Sequence, residues 1–204
     1  MYFLGDLFDA WIGDDQLREP LAERVAMGMR SIASSGVPVG VMTGNRDFLL
    51  GERFTASAGA TLLPEQIVID LAGTPTLLLH GDELCTADVE YQRYRRFSRS
   101  RRNQRVFLAF PYGLRRRFAG VMRRKSRVTT AAKPESIMDV APSAVEAAFR
   151  AANVTRIIHG HTHRPAHHHL VVDGRECERW VLADWYTHGS YLEFGEDGGR
   201  TRDV

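Results

Sequence analysis

MYFLGDLFD, residues 1–9, opens the chain and poses the problem of its fold. Tyr2, Phe3 and Leu4 read as a short apolar strand, and Gly5-Asp6 ends it with a carboxylate. A strand apolar on both faces belongs inside a parallel sheet and normally has a neighbour on each side. A carboxylate beyond its carboxyl end normally has company, because ligand sites of open α/β sheets lie there. The reading of the rest of the chain depends on where that neighbour and that company are.

The same pattern recurs downstream. Residues 20–34 carry Leu21, Val25, Met29 and Ile32 at helical spacing. Gly36-Val37-Pro38 breaks that helix, and residues 39–42 read as a strand ending at Thr43-Gly44-Asn45-Arg46-Asp47, followed by a short helix through Phe54. Residues 66–71 and 76–79 read as a hairpin across Ala72-Gly73-Thr74-Pro75, and the second strand ends at His80-Gly81-Asp82. Pro142 opens a helix to about Ala152, as Pro favours the first turn. Residues 156–158 form a strand ending at His159-Gly160-His161-Thr162-His163, and the tail from Leu170 reads as strands separated by Asp173-Gly174. Four strands thus end in a potential metal ligand: Asp6, Asn45, His80, then His161 with His163.

Taken singly, these residues have ordinary readings. Asp6 after Gly5 and Asn45 after Gly44 are turn residues, and His80 is a half-buried imidazole. His161 and His163 are harder to dismiss, although H-x-H puts both rings on one side only if the backbone stays extended. His159 reads as packing behind them. His167, His168 and His169 read as surface strand residues rather than a chelating run, since neighbours in a strand alternate faces. The arrangement therefore carries more weight than any one residue. Oxygen and imidazole donors suit Mn, Zn or Fe better than a thiolate-seeking metal. Two such ions can activate water for in-line attack on phosphorus, with a carboxylate, here Asp6, shared between them.

Composition narrows the class. The 204 residues, 44% of them hydrophobic, suffice for one domain with a core. The net charge of +2 hides an asymmetry: residues 93–127 hold 14 Lys or Arg and no acid, so the remainder is acidic. Such a segment points to an anionic partner. Cys85 and Cys177 make no disulfide framework and fit a reducing cytoplasm. Asp6 and Asp9 interrupt the apolar start, so no signal peptide is expected there, and no stretch approaches the ~20 apolar residues of a membrane span.

Gly5-Asp6, Gly44-Asn45-Arg46-Asp47, His80-Gly81-Asp82 and Gly160-His161-Thr162-His163 together resemble the calcineurin-like metallophosphoesterases, in order as well as in placement. GDLFDAWIGDD, TGNRDFLLGERF, HGDELCTADVEYQRYR, IMDV and IIHGHTHRP narrow the resemblance to the UDP-2,3-diacylglucosamine diphosphatases of lipid A synthesis. It runs from Tyr2 to about Phe194. It implies an α/β fold: a metallophosphoesterase β-sandwich flanked by helices, one domain over 1–204 with a helical cap insertion at about 88–135. It also implies two divalent ions, Mn2+ by expectation, the first held by Asp6, Asn45, His80 and His161, the second by Asp6 and His163.

The family draws two further ligands from a D-x-H motif on a strand ahead of the G-D motif, and these residues do not include it. That strand is the missing neighbour. A start truncated or misassigned upstream is the expectation; a deliberate fragment and a degenerate protein binding one ion or none are the alternatives. Lacking that strand and its ligands, this polypeptide is expected to be unstable and weakly active or inactive.

Arg46 stands where most of the superfamily has a His able to protonate a leaving alkoxide. Arg stays charged and is a poor acid. The exchange suits a phosphate monoester leaving group, whose second pKa of about 6 lets it depart unprotonated, and a guanidinium fork then serves to hold the phosphate. The ordinary reading is a loop Arg in a surface ion pair. In the basic segment, helices broken near Pro111-Tyr112-Gly113 interleave Phe97, Val106, Phe107, Leu108, Phe110, Tyr112, Leu114, Phe118, Val121 and Met122 with arginines. Cationic amphipathic helices of this kind suit a membrane surface; a nucleic-acid surface is the rival, disfavoured by the aliphatic content, and a solvated helical face the bland reading. The family's cap covers acyl chains there, and its substrate contacts fall on Asn45, Arg46, Asp88, Tyr91, Ser126, Thr130, Lys133 and His161, with Thr130 standing where relatives can carry Asn.

The expected reaction is hydrolysis of UDP-2,3-diacylglucosamine at its pyrophosphate, giving UMP and 2,3-diacylglucosamine 1-phosphate. The expected setting is a monomer peripheral to the cytoplasmic face of the inner membrane, with no nucleic-acid partner. The alternatives are another metal-dependent phosphodiesterase or nuclease, and a non-catalytic basic remnant that binds lipid or nucleic acid.

Overall fold

The computed structural model describes the 204 residues apart from Ala132, Thr187, Glu196 and Asp197, and apart from the side chains of Arg127, Thr130, Ala131, Glu135 and Ser136. The chain is mixed α/β and divides into two compact units, Met1–Pro64 with Asp88–Met138 and Glu65–Ala87 with Asp139–Val204.

In the first unit, β1 (Tyr2–Leu4) pairs in parallel with β2 (Gly40–Met42), which pairs in parallel with β3 (Thr61–Leu62). The connection from β1 to β2 runs through α1 (Pro20–Ser34), which has Pro at its first turn. The face of α1 turned to the core is Ala22, Ala26 and Met29, with Val25 and Ile32 beside it. Leu21, expected on that stripe, is exposed. Small side chains at 22 and 26 let the helix pack close, which rotates the buried stripe by one residue. α2 (Glu52–Ala58) ends at Gly59, whose φ of 64° is the left-handed cap that glycine adopts without a Cβ penalty. Its amino end is capped from a distance by Asp14, which accepts from the backbone N–H groups of Gly51 (3.0 Å), Arg53 (2.9 Å) and Phe54 (3.2 Å). A Cβ on Gly51 would fall 2.9 Å from an Asp14 oxygen, so the cap requires glycine there.

Between these elements Phe8, Trp11 and Phe54 pack ring against ring, with centroids 4.6 to 5.5 Å apart. Edge contacts of this kind add to the burial of large apolar area. Trp11 also donates from Nε1 to Asp14 at 3.0 Å, so the core aromatic and the helix cap are one assembly.

The basic segment folds as α3 (Val89–Ser98), α4 (Arg101–Leu108) and α5 (Tyr112–Ala131), followed by the short α6 (Glu135–Met138). Besides the break expected near Pro111, a second falls at Arg99-Ser100. There Asn103 and Gln104 donate to the carbonyls of Phe97 (2.8 Å) and Ser98 (3.0 Å), satisfying the end of α3 without proline or glycine.

In the second unit, β4 (Gln66–Leu71), β5 (Thr74–Leu79), β6 (Arg156–His159), β7 (Ala166–Val172) and β8 (Arg175–Val181) form a sheet in the order β4-β5-β6-β8-β7 among the described residues. The turn from β4 to β5 is tighter than expected. Only Ala72 and Gly73 lie outside the ladder, both with positive φ, and Pro75 pairs with Asp70 inside it. Asp173-Gly174 makes a second such turn. β7 begins at Ala166, ahead of the expected Leu170, and so contains all three of His167, His168 and His169. α7 (Pro142–Ala152) lays Val145 and Phe149 on Leu77, Leu79 and Ile157. β9 (Ser190–Gly195) and β10 (Gly198–Asp203) form an antiparallel ribbon.

Trp11→Ala should destabilise the protein by about 3–5 kcal/mol, read as a lowered urea midpoint. Leu21→Ala, at the exposed helix position, should stay within about 0.5 kcal/mol of the parent.

Candidate metal centre

Parallel pairing decides where the loops emerge. β1 and β2 run side by side with Leu4 opposite Met42, so Gly5-Asp6 and Thr43-Gly44-Asn45 leave their sheet at the same end. Asp47, wholly buried, locks those two loops together. Its carboxylate accepts from the N–H of Gly44 (2.6 Å) in one loop, and of Leu7 (2.7 Å) and Asp6 (3.3 Å) in the other. Asp6 reciprocates by accepting from the N–H of Arg46 at 2.9 Å. Asp6 sits at φ 55°, an uncommon conformation for a residue with a side chain. Sequence reading named Asp47 only as part of a motif; its role as the fastener of both loops emerges from these bonds.

Arg46 is held by two carboxylates. Its Nη1 lies 3.0 Å from Asp9 and its Nε lies 3.5 Å from Asp6. Asp9 also pairs with Arg123 of α5. Arg99, at the end of α3, donates to Thr43 Oγ1 at 2.7 Å and to the Gly44 carbonyl at 3.1 Å, tying the helical segment to the loop that carries Asn45. The expected substrate contacts Asp88 and Lys133 meet each other: Lys133 Nζ is 2.7 Å from both Asp88 oxygens, and Asp88 also caps α3 through the Tyr91 N–H at 3.0 Å. Tyr91 is partly buried, and Ser126 is exposed on α5. The Thr130 side chain lies outside the described residues.

The second unit repeats the logic. β5 and β6 are parallel with Leu78 opposite Ile158, so His80 and the loop following His159 leave the sheet at one end. The Gly160 N–H donates to the His80 carbonyl at 2.9 Å, and the rings of His80 and His161 sit edge to face with centroids 5.0 Å apart. His161 and His163 have φ of 66° and 54°. The backbone is therefore not extended, and the condition under which H-x-H would align both rings as a strand does not hold; left-handed turns aim them instead. Strained residues of this kind persist where the surroundings over-determine them, often at functional sites. His163 Nδ1 lies 3.6 Å from Asp184, a partner that sequence reading did not name.

His159 is wholly buried behind this loop, as expected of a packing residue. Its Nε2 faces Arg179 Nη1 at 2.8 Å. Arg can only donate, so Nε2 accepts, the proton sits on Nδ1, and Nδ1 donates to the Gly160 carbonyl at 2.9 Å. The ring also explains Gly81, where a Cβ would fall 2.8 Å from His159 Nδ1. Burial, with Arg179 and His80 nearby, pushes the His159 pKa down to about 4. Burial and then the neighbouring His80 push that of His161 to about 3. Both imidazoles are therefore neutral at physiological pH, the form a metal ligand needs. Carboxylate and amide oxygens at the strand ends of the first unit, and neutral imidazoles at those of the second, are each donor types that suit a divalent ion.

An unfolded His titrates near 6.5. Between that value and 4 the unfolded chain takes up a proton that folded His159 refuses, so stability is lost as pH falls through this window. His159 should cost the metal-free protein about 3 kcal/mol between pH 7.5 and pH 4, with His161 acting in the same direction. The urea midpoint measured against pH should show the decline, and His159→Gln, which does not titrate there, should flatten its share of the slope.

No family model matches the chain. Curated proteins do. A UDP-2,3-diacylglucosamine hydrolase of Marinobacter nauticus is 49% identical over 95% of this chain and 79% of its own length. Those of Cellvibrio japonicus and Photobacterium profundum are 48% and 46% identical, over 97% and 100% of this chain and 82% and 83% of theirs. Among solved structures, one described as a novel archaeal phosphodiesterase covers 87% of this chain and 76% of its own at 11% identity; its TM-score of 0.43 is too low to carry an argument. By its likeness to the curated proteins along nearly its whole length, the chain belongs to the UDP-2,3-diacylglucosamine hydrolase family.

Proposed function

We propose that this protein hydrolyses the pyrophosphate bond of UDP-2,3-diacylglucosamine, releasing UMP and 2,3-diacylglucosamine 1-phosphate, in lipid A biosynthesis. The observation that carries the reading is the 46–49% identity to hydrolases of that name across 95–100% of the chain. The ligand-bearing loops at parallel strand ends supply a physical means. Asp6, Asn45, His80 and His161 would hold one divalent ion, and Asp6 with His163 a second, manganese being the expected metal. Bound there, such ions supply Lewis-acid stabilisation of charge on the phosphoryl oxygens.

The residues of the chain do the rest. Arg46 presents its guanidinium fork to the diphosphate, a geometry suited to planar bidentate contact. Asp9 and Asp6 orient that fork before substrate arrives. A substrate phosphate competes with Asp9 for it, and Arg123 of α5 enters the same exchange. Arg46 holds its charge throughout and gives no proton to the leaving phosphate, which needs none near neutral pH. Asn45, Asp88, Tyr91, Ser126, Thr130, Lys133 and His161 complete the proposed substrate contacts.

The same reading places the protein peripherally on an anionic membrane surface, the cytoplasmic face of the inner membrane. No described helix is long and apolar enough to cross a membrane. What supports surface attachment is the exposure of Val106, Leu108, Phe110, Leu114, Phe118 and Val121 among the arginines of α4 and α5. Apolar contact and anionic-lipid attraction, about 1 kcal/mol per basic residue near the surface, would act together there.

A form of the protein carrying a strand that ends in D-x-H ahead of Gly5-Asp6 should release UMP from the lipid substrate with manganese present. No release from that form would sink the reading, and equal turnover of a simple phosphodiester would favour a general phosphodiesterase. In the same form Arg46→Lys should lower kcat/KM about 10²–10³-fold, the loss typical of one charge-stabilising donor. Binding to phosphatidylglycerol vesicles should weaken with added salt and with Phe118→Glu; vesicle binding indifferent to both would remove the surface assignment.

A further inference from the structure

The histidine run on β7 has a second side. Alternation along the strand sends His168 to the face where its ladder partner Arg179 lies. It leaves His167 and His169 together on the other face, opposite Trp180 and Glu178 of β8. Their ring centroids are 4.3 Å apart, tilted by 52°. His167 is fixed in place: its ring stacks on Trp180 at 3.6 Å and 16°, and its Nε2 lies 2.8 Å from a Glu178 oxygen. Glu178 is itself anchored, by Trp180 Nε1 at 3.0 Å and by Arg156. A carboxylate on Nε2 keeps the proton on that nitrogen and leaves the lone pair on Nδ1. Metal-binding histidines are commonly oriented by a carboxylate on the opposite ring nitrogen, which also raises the basicity of the ligating one.

We propose that His167 and His169 form a cation site on the exposed face of β7, for a late first-row divalent ion such as Ni(II), Cu(II) or Zn(II). The two imidazoles are the ligands, and Glu178 positions His167. Glu176 shares that face of β8, diagonal to His169 in the ladder. Water fills the remaining positions. Imidazole pairs favour the late end of the series, whereas carboxylate-rich sets accept Mn(II) more readily. The site therefore differs in metal preference from the strand-end donors Asp6 and Asn45, and it stands whether or not the hydrolase reading does.

The test is a calorimetric titration of the full chain with NiCl2 at pH 7.5. It compares the parent with His167→Gln/His169→Gln, with Glu178→Gln and with His80→Gln/His161→Gln. The parent and the strand-end variant should share one binding event that the His167/His169 variant lacks. Glu178→Gln should weaken that event about 10–100-fold. The His167/His169 variant should keep the hydrolase activity of whichever form is assayed. Nickel binding unchanged in the His167/His169 variant, or lost only in the strand-end variant, overturns the proposal. Should the double variant fold poorly, paramagnetic broadening by nickel in the parent decides instead. Loss of the amide signals of residues 166–170 supports the site, and broadening confined to other residues rejects it.

Discussion

The Asp47 carboxylate governs the first unit. Two loops leave adjacent parallel strands, and each would otherwise carry backbone N–H groups with no strand to pair with. One buried anion accepts from both loops. Hydrogen bonds to an ionised acceptor are about twice as strong as neutral ones, and a buried carboxylate without them is costly. The anion and the loops therefore require each other. Asp6 can hold its left-handed backbone because the N–H on either side of that turn is already committed.

The second unit reaches a similar result with a neutral group. His159 contributes a fixed tautomer rather than a charge, with Arg179 on one nitrogen and the Gly160 carbonyl on the other. Glycine at 81 makes room for the ring. In both units a buried polar residue two positions away in sequence from an expected ligand does the positioning: Asp47 beside Asn45, His159 beside His161. Such residues never touch a substrate in this reading, yet the aim of those that do depends on them.

The described arginines of residues 93–127 divide into two kinds, and charge counting cannot separate them. Arg115 is buried, paired with Asp15 and the Ile12 carbonyl, where it fastens α5 to the loop ahead of α1. Arg99 is spent on Thr43 and Gly44. Others, such as Arg116, Arg117 and Arg124, are exposed on α5 beside Val121 and Val128. Only the second kind is available to an anionic surface, so the charge of the segment overstates what a membrane would feel.

Element type and order were legible from the sequence alone, except for the short β3 and the break between α3 and α4. Pro20 and Pro142 mark helix starts, apolar runs mark strands, and Gly-Asp, Gly-Asn and Gly-His pairs mark the strand ends that carry donors. These signals are local: they depend on backbone sterics and on the periodicity of apolar residues, both written in a few consecutive letters. Tertiary structure decided which way α1 faces, that H-x-H is aimed by left-handed turns, that Asp88 and Lys133 meet each other, and that Asp14 caps a helix some forty residues away. It also decided that two of three adjacent histidines share a face with Glu178. Each of these depends on a partner distant in the chain, and hydrogen bonding and close packing select that partner only once the strands are in register.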